Sequence, residues 1–327
     1  MLLKNYLIIT MNKILFLFLL FSYSISAQTF KKIDSIVKTY PRFSKVENLA
    51  NRIEKDFSSD TEKVRAAFFW LTKNIRYNLR QLYNPKQRSY RFSYSSEEEK
   101  KQKMQSLIDD LVNKAFRNKT GVCEEYAQSF KKICDLLNIK SELIKGSVRT
   151  DANDIANIQD PNHVWNAVKI NNRWIIIDAT WAAGYEYNRK WIRKFNDYYF
   201  DIPIQKIFKT HYPEDTLWML RFGRMSIEEF YNQPIYSQQY LNNNLNLVSP
   251  KNGIIKINNS DFIEIKIKNL KNKKLIYNFS SGSLAQKADI ETTKNVSTVS
   301  IKNPRKNCIL YIYIDNEIAL QYKVRVN

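Results

Sequence analysis

Apolar residues recur at helical spacing from residue 28 to about residue 118. Ser59-x-x-Glu62 predicts a capping box, followed by Val64, Ala67, Phe68, Leu71 and Ile75 along one helical stripe. A basic, tyrosine-rich stretch over Tyr83–Tyr94 interrupts the pattern, and Ser95-Ser96-Glu97-Glu98 opens another helix running toward Phe116. The next helix begins near Cys123. Positions 123, 126, 127, 130, 133, 134 and 137 hold Cys, Tyr, Ala, Phe, Ile, Cys and Leu, one apolar face at 3.6-residue spacing. Short strands are predicted at 141–149, 163–170 and 173–180, with a polar loop over Thr150–Asn162 between the first two. The aromatic region Trp181–Phe222 continues the same domain.

Residues 232–250 are rich in Asn and Gln with little apolar period, which predicts a linker. From about residue 251 the period changes to two. Ile263, Ile265 and Ile267 alternate with polar neighbours, and CILYIYI leads through Asp315-Asn316 into EIALQYKVRV, a hairpin signal. Several short strands with polar turns predict a small β-sandwich over 251–327. The expected class is α+β, with a helix-rich domain over 28–231 and an all-β domain after the linker.

The N-terminus changes the picture. From Met11 the chain reads MNKILFLFLLFSYSISAQTF, with Lys13 before an apolar run and small residues ending at Ala27. Residues 1–27 read as a signal peptide cut before Gln28. The apolar run is shorter than the ~20 residues a membrane span needs, so no integral span is expected after cleavage. The expected location is periplasmic or secreted.

The 327 residues carry a formal charge of +20, with 44% hydrophobic and 13% aromatic residues. Loss of residues 1–27 removes two lysines and no acids and leaves +18. Such a surplus favours acidic proteins or anionic cell-envelope polymers. Nucleic acid is not an expected partner: export argues against it, and no helix-turn-helix or zinc spacing appears.

Three cysteines, Cys123, Cys134 and Cys308, are too few for a disulfide framework. On one helix, eleven residues at ~1.5 Å each place Cys123 and Cys134 roughly 16 Å apart, far beyond the ~7 Å limit for a disulfide. Cys134 lies in the middle of the apolar face and reads as a core residue. Cys123 opens its helix after Thr120-Gly121-Val122, where the positive helix end lowers a thiol pKa and offers N–H groups to an oxyanion.

A two-residue turn at Asn171-Asn172 sets Ile170 opposite Arg173, so that His163 faces Thr180 and Trp165 faces Asp178. His163 and Asp178 then share a sheet face as diagonal neighbours. A carboxylate so placed accepts the imidazole Nδ1 proton and leaves Nε2 free to act as a base. Other turn lengths would alter this pairing.

TGVCEEYAQSFKKIC, HVWNAVKINNRWIIIDATW and YYFDIPIQKIFKTHYPEDTLWML together resemble the transglutaminase-like superfamily, in particular its kyphoscoliosis-peptidase and cytokinesis-protein type. The resemblance covers roughly residues 45–222. It implies a papain-like core in which a helix-borne cysteine packs on an antiparallel sheet. It also implies Cys123 as nucleophile, His163 as general base and acid, and Asp178 as orienting carboxylate. The Cys123 N–H would be one oxyanion donor, with Asn74 and Tyr77 as candidates for the second. His211 falls in a segment read as structural. Trp165, Trp181 and Glu125 are candidate substrate-binding residues. Glu125 departs from the family, which usually has glycine two residues after the cysteine. The GQCW signature and an acidic calcium loop are absent, which weakens a cross-linking role. No cofactor or metal is expected. The implied activity is cleavage of protein or peptide amide bonds through a Cys123 thioester, with amine transfer less favoured. The alternative is a non-catalytic binding or scaffold module of the cell envelope.

Overall fold

The computed structural model describes residues 28–84, 93–258 and 260–326. The expected signal peptide, residues 1–27, and the middle of the Tyr83–Tyr94 stretch lie outside the described residues. Two compact units emerge: one comprises the chain up to Leu143 with Trp165–Phe200, the other Ile144–Val164 with Asp201–Asn327.

The first unit opens with helix α1 over 28–37, α2 (Val46–Asp56) and α3 (Asp60–Asn74). Next come β1 (Arg76–Tyr77), α4 (Leu79–Tyr83), α5 (Glu97–Asn118), β2 (Thr120–Gly121) and α6 (Cys123–Leu136). Strands β3 (Ser141–Val148) and β4 (His163–Ile170), each divided between the two units, and β5 (Arg173–Ile177) follow, then α7 (Ala179–Ala183) and the hairpin β6 (Gly184–Tyr187) with β7 (Lys190–Arg193). The capping box forms as expected: Ser59 Oγ accepts from the Glu62 N–H and Glu62 Oε2 accepts from the Ser59 N–H. Ser96 likewise caps α5 by accepting from the Glu99 N–H.

Helix α3 is the centre of this unit, touching α2, α6 and α7. Its expected single stripe is an understatement: Val64, Ala66, Ala67, Phe68, Phe69, Trp70 and Leu71 are all buried, so the helix is enclosed on every side. Even Arg65 is buried. Its guanidinium forks onto both oxygens of Asp34 at 2.8 and 2.6 Å and also reaches Asp197. The rings of Phe30, Phe68, Phe195 and Phe200 surround it at 4.8–5.6 Å. A planar cation can be desolvated there because carboxylates and ring faces replace its water.

The second unit continues with β8 (His211–Pro213), α8 (Thr216–Phe222), α9 (Ile227–Asn232), β9 (Ile235–Tyr236), α10 (Gln238–Asn242) and β10 (Asn246–Ser249). Strands β11 (Ile254–Ile257), β12 (Phe262–Lys268), β13 (Leu275–Phe279), β14 (Gln286–Lys287), β15 (Asp289–Thr293), β16 (Val296–Lys302), β17 (Cys308–Ile314) and β18 (Glu317–Val326) complete it. They form a four-stranded sheet, β10-β12-β16-β15, and a second sheet, β11-β18-β17-β13-β14, with β9 paired to β18. Ile263, Ile265 and Ile267 are buried in the first sheet and Leu310, Ile312 and Ile314 in the second, the period-two pattern expected of sheets buried on one face. Asp315 and Asn316 both have positive φ, 53° and 69°, and close the β17–β18 hairpin.

Residues 232–250, expected as a linker, are built into this unit. β9 pairs with β18 and β10 with β12, and Ile235, Tyr236, Tyr240, Leu241 and Leu247 are buried. Each piece is too short to show a period among its Asn and Gln neighbours. The buried Arg149 donates to the carbonyls of Tyr231, Gln233 and Pro234, the Gln233 contact being 2.7 Å. Among the described residues no helix is long and apolar enough to cross a membrane.

Candidate functional site

The thiol comes from a backbone arrangement legible in four residues. β1 and β2 run parallel, Arg76 paired with Thr120 and Tyr77 with Gly121, and the Asn78 N–H donates to Gly121 O at 2.9 Å. One residue later α6 begins, with Cys123 as its first helical residue. The first N–H groups of a helix have no acceptor within it, so the Cys123 backbone presents donor and positive dipole end together. Helix α6 is anchored from below: Tyr126 Oη donates to Ile75 O at 2.6 Å, and Asn166 Nδ2 of β4 donates to Ala127 O at 3.1 Å. Cys123 is partly exposed, whereas Cys134 is wholly buried on the apolar face. Burial pushes the Cys134 thiol up to about 12, which makes it an inert packing residue.

Glu125 is the family departure, and its side chain turns back on its own helix. Oε2 accepts from the Val122 N–H at 2.9 Å, the N-terminal capping role of an acid in the first turn. The carboxylate is buried against Gly121, where an added Cβ would lie 2.4 Å from Glu125 Cβ. Glycine at 121 is therefore the counterpart of the bulk at 125.

The β4–β5 hairpin has the expected register. Ile170 pairs with Arg173 and Asn166 with Ile177, and Asn171 and Asn172 hold the positive φ values of a two-residue turn, 49° and 61°. His163 is the first residue of β4. One expectation needs correction: Thr180 is not on a strand facing His163. The ladder stops at Ile177, and Asp178 becomes the cap of α7, its Oδ1 accepting from the N–H groups of Thr180 at 2.8 Å and Trp181 at 3.0 Å. An Asp accepting two amides favours a helix start over a continuing strand. The Asp178 backbone itself stays extended, at φ −124° and ψ 95°.

Tyr77 joins two of these elements. Burial raises its phenol pKa, and the charges of Cys123, Asp178 and Glu125 raise it further. The hydroxyl stays protonated through the physiological range and is available as a donor. Its ring stacks on Trp191, with centroids 5.4 Å apart. The other donor candidate, Asn74, directs Nδ2 to Trp70 O at 3.0 Å within its own helix. Trp165 is 1% exposed and belongs to the core, not to a substrate surface. Trp181 is partly exposed and meets Tyr199 edge-on at 5.5 Å.

His211, read from the sequence as structural, lies beside His163. In the second unit its ring centroid lies 5.8 Å from that of His163, and Thr210 Oγ1 lies 2.7 Å from its Nδ1. The placement comes from β8, which pairs antiparallel with β3 through Val148 and His211. Nothing local announces that pairing; the one available signal was that His163 and His211 are the chain's two histidines.

A cysteine at a helix start, a strand opened by histidine and an aspartate just after the partner strand stand in the order that the resemblance implies. Residues 47–179 match the profile of the Transglutaminase-like superfamily and form a domain of that family. Among curated proteins the chain is similar to kyphoscoliosis peptidase of Homo sapiens, 22% identical over 239 residues, and of Mus musculus, 21% identical over 239 residues. Each match covers 72% of this chain and 33% of the relative, so the chain spans about a third of the relatives' length. Among solved structures it is similar to a TGase crystal structure, with a TM-score of 0.29, 17% identity, and 48% of this chain and 37% of that chain covered.

Proposed function

We propose that the chain is a thiol enzyme acting on protein or peptide amide bonds, with Cys123 as nucleophile, His163 as base and acid and Asp178 as the orienting carboxylate. The observation that carries this reading is the position of a partly exposed Cys123 as the first residue of α6, directly after the β1–β2 pair that sets Tyr77 against Gly121. In the proposed cycle the Cys123 sulfur gives its proton to His163 and attacks the carbonyl carbon. The C–N bond breaks as His163 returns that proton to the departing amine, leaving a thioester. Water then adds as His163 takes a proton, the C–S bond breaks, and the carboxylate product and free thiol remain. The Cys123 N–H and the Tyr77 hydroxyl are the proposed donors to the oxyanion. Hydrolysis is favoured over amine transfer because no dedicated amine site was legible in the sequence.

Export through removal of residues 1–27 is part of the proposal, tested by whether the secreted form begins at Gln28. The chemistry is tested with fluorescein-labelled casein. Cys123→Ala should abolish release of fluorescence with unchanged circular dichroism, and release surviving in that variant sinks the thioester route. Cys123 should also alkylate with iodoacetamide near pH 7 faster than a free cysteine peptide; an equal or slower rate would favour the scaffold alternative.

A further inference from the structure

Beside β1 and β2 lies an open cleft of about 840 Å³ whose lining is rich in cations. Arg42, Lys73, Arg76 and Arg80 contribute to it, and so do Lys119, Arg189 and Arg193. Among the described residues no aspartate or glutamate lines it; the remaining groups are Asn74, Asn78, Asn118, Thr120, Tyr77 and Leu79. On the β6–β7 hairpin, Glu186 accepts from the Arg189 backbone N–H and acts on Tyr83.

These cations oppose one another. Burial and then the charge of Arg42 pull Lys119 down to about 8. Arg193 is lowered by burial, and Arg42 and Arg76 add to the effect. The arrangement is held by backbone: Lys119 Nζ donates to the carbonyls of Phe43 and Phe116, and Arg193 to those of Thr72 and Ile75. Held like charges in a concave site raise the local concentration of anions and relax when one binds. Tyr77 belongs both to this cleft and to the surroundings of Cys123.

We infer that this cleft is the subsite for an acidic peptide segment, one rich in Asp or Glu, of the substrate whose amide reaches Cys123. The inference rests on the thiol-enzyme reading for the word substrate, but the binding itself does not depend on catalysis. One feature favours a peptide over an anionic polysaccharide: Asn118 and Thr120 lie among the cations and offer donors and acceptors to a peptide backbone, whereas Asn74 and Asn78 are engaged with Trp70 and Gln81.

The test uses full-length Cys123→Ala protein, which cannot turn over, and fluorescein-labelled decaglutamate followed by anisotropy. Arg76→Gln with Arg80→Gln, both exposed side chains, should raise Kd at least about tenfold, and about 0.5 M NaCl should do the same to the parent. The charge-matched pair Lys256→Gln with Lys287→Gln, exposed and outside the lining of the cleft, should change Kd less than about twofold. The inference is overturned if decaglutamate fails to bind, if the two pairs weaken it equally, or if a neutral Gly-Ser decapeptide or a heparin oligosaccharide binds more tightly. Should the double variant lose its circular dichroism, Arg76→Gln alone carries the comparison with a threefold threshold. Casein turnover surviving in Cys123→Ala would sink the thiol reading while leaving this binding result intact, so the two failures are distinguishable.

Discussion

Asp178 is where structure and chemistry can be separated by one atom. Its Oδ1 accepts two backbone N–H groups at the start of α7, and the residue is 1% exposed. Asp178→Ala removes that acceptor and leaves two N–H donors unmet, one buried and one part-buried. With roughly 1–2 kcal/mol for each bond to a carboxylate, the loss is about 2–4 kcal/mol. At a urea m-value near ~3 kcal/mol/M the unfolding midpoint falls by about 1 M. Asp178→Asn keeps an Oδ1 in the same place and loses only the charge, so it should lose about 1 kcal/mol or less. The same substitution cannot stabilise an imidazolium and allows the wrong tautomer. It should therefore slow casein release by a factor on the order of 10²–10⁴ and slow Cys123 alkylation at pH 7 as well. Urea unfolding followed by tryptophan fluorescence, with site-resolved mass spectrometry of iodoacetamide labelling, reads both effects. Equal destabilisation by Ala and Asn would refute the cap. Unchanged alkylation in a folded Asp178→Asn would refute the orienting role.

Other expectations follow from the same contacts. Gly121→Ala puts a methyl 2.4 Å from Glu125 Cβ and should destabilise by about 1–3 kcal/mol, with Glu125→Gly in the same chain recovering part of that loss; a double-mutant cycle measures the coupling. Arg65→Met leaves the part-buried Asp34 without its bidentate partner and should lower stability by about 3–5 kcal/mol in urea unfolding, less when combined with Asp34→Asn. Cys134, held at about 12 by burial, should resist iodoacetamide through pH 9 in the native protein and react once urea unfolds it. Lys119 and Lys209 are both lowered to about 8, chiefly by burial. The unfolded chain, with lysines near ~10.4, binds more protons between the two values, so this contribution to stability should rise from about pH 8 to pH 10. Lys119→Met should flatten that rise relative to the parent, as read by the urea midpoint at successive pH values.

What the sequence determined was written within one or two turns of chain. Asn171-Asn172 supports positive φ at both central positions, so the β4–β5 register could be counted before any fold was known. Ser59 and Glu62 cap α3, Cys123 opens α6, and the isoleucines of β12 fall on one face, each because the pattern is set by neighbours in sequence. Tertiary structure decided the rest. Only the pairing of β8 with β3 sets His211 beside His163, and only enclosure by α2, α6 and α7 turns α3 from a one-faced helix into a buried one. The Asn- and Gln-rich segment 232–250 reads as linker until β18 and β12 supply edges for its short strands. Cations from residues 42 to 193 meet in one cleft for the same reason. Hydrogen bonds of turns and caps close over a few residues, whereas burial depends on which distant surface arrives to cover a side chain.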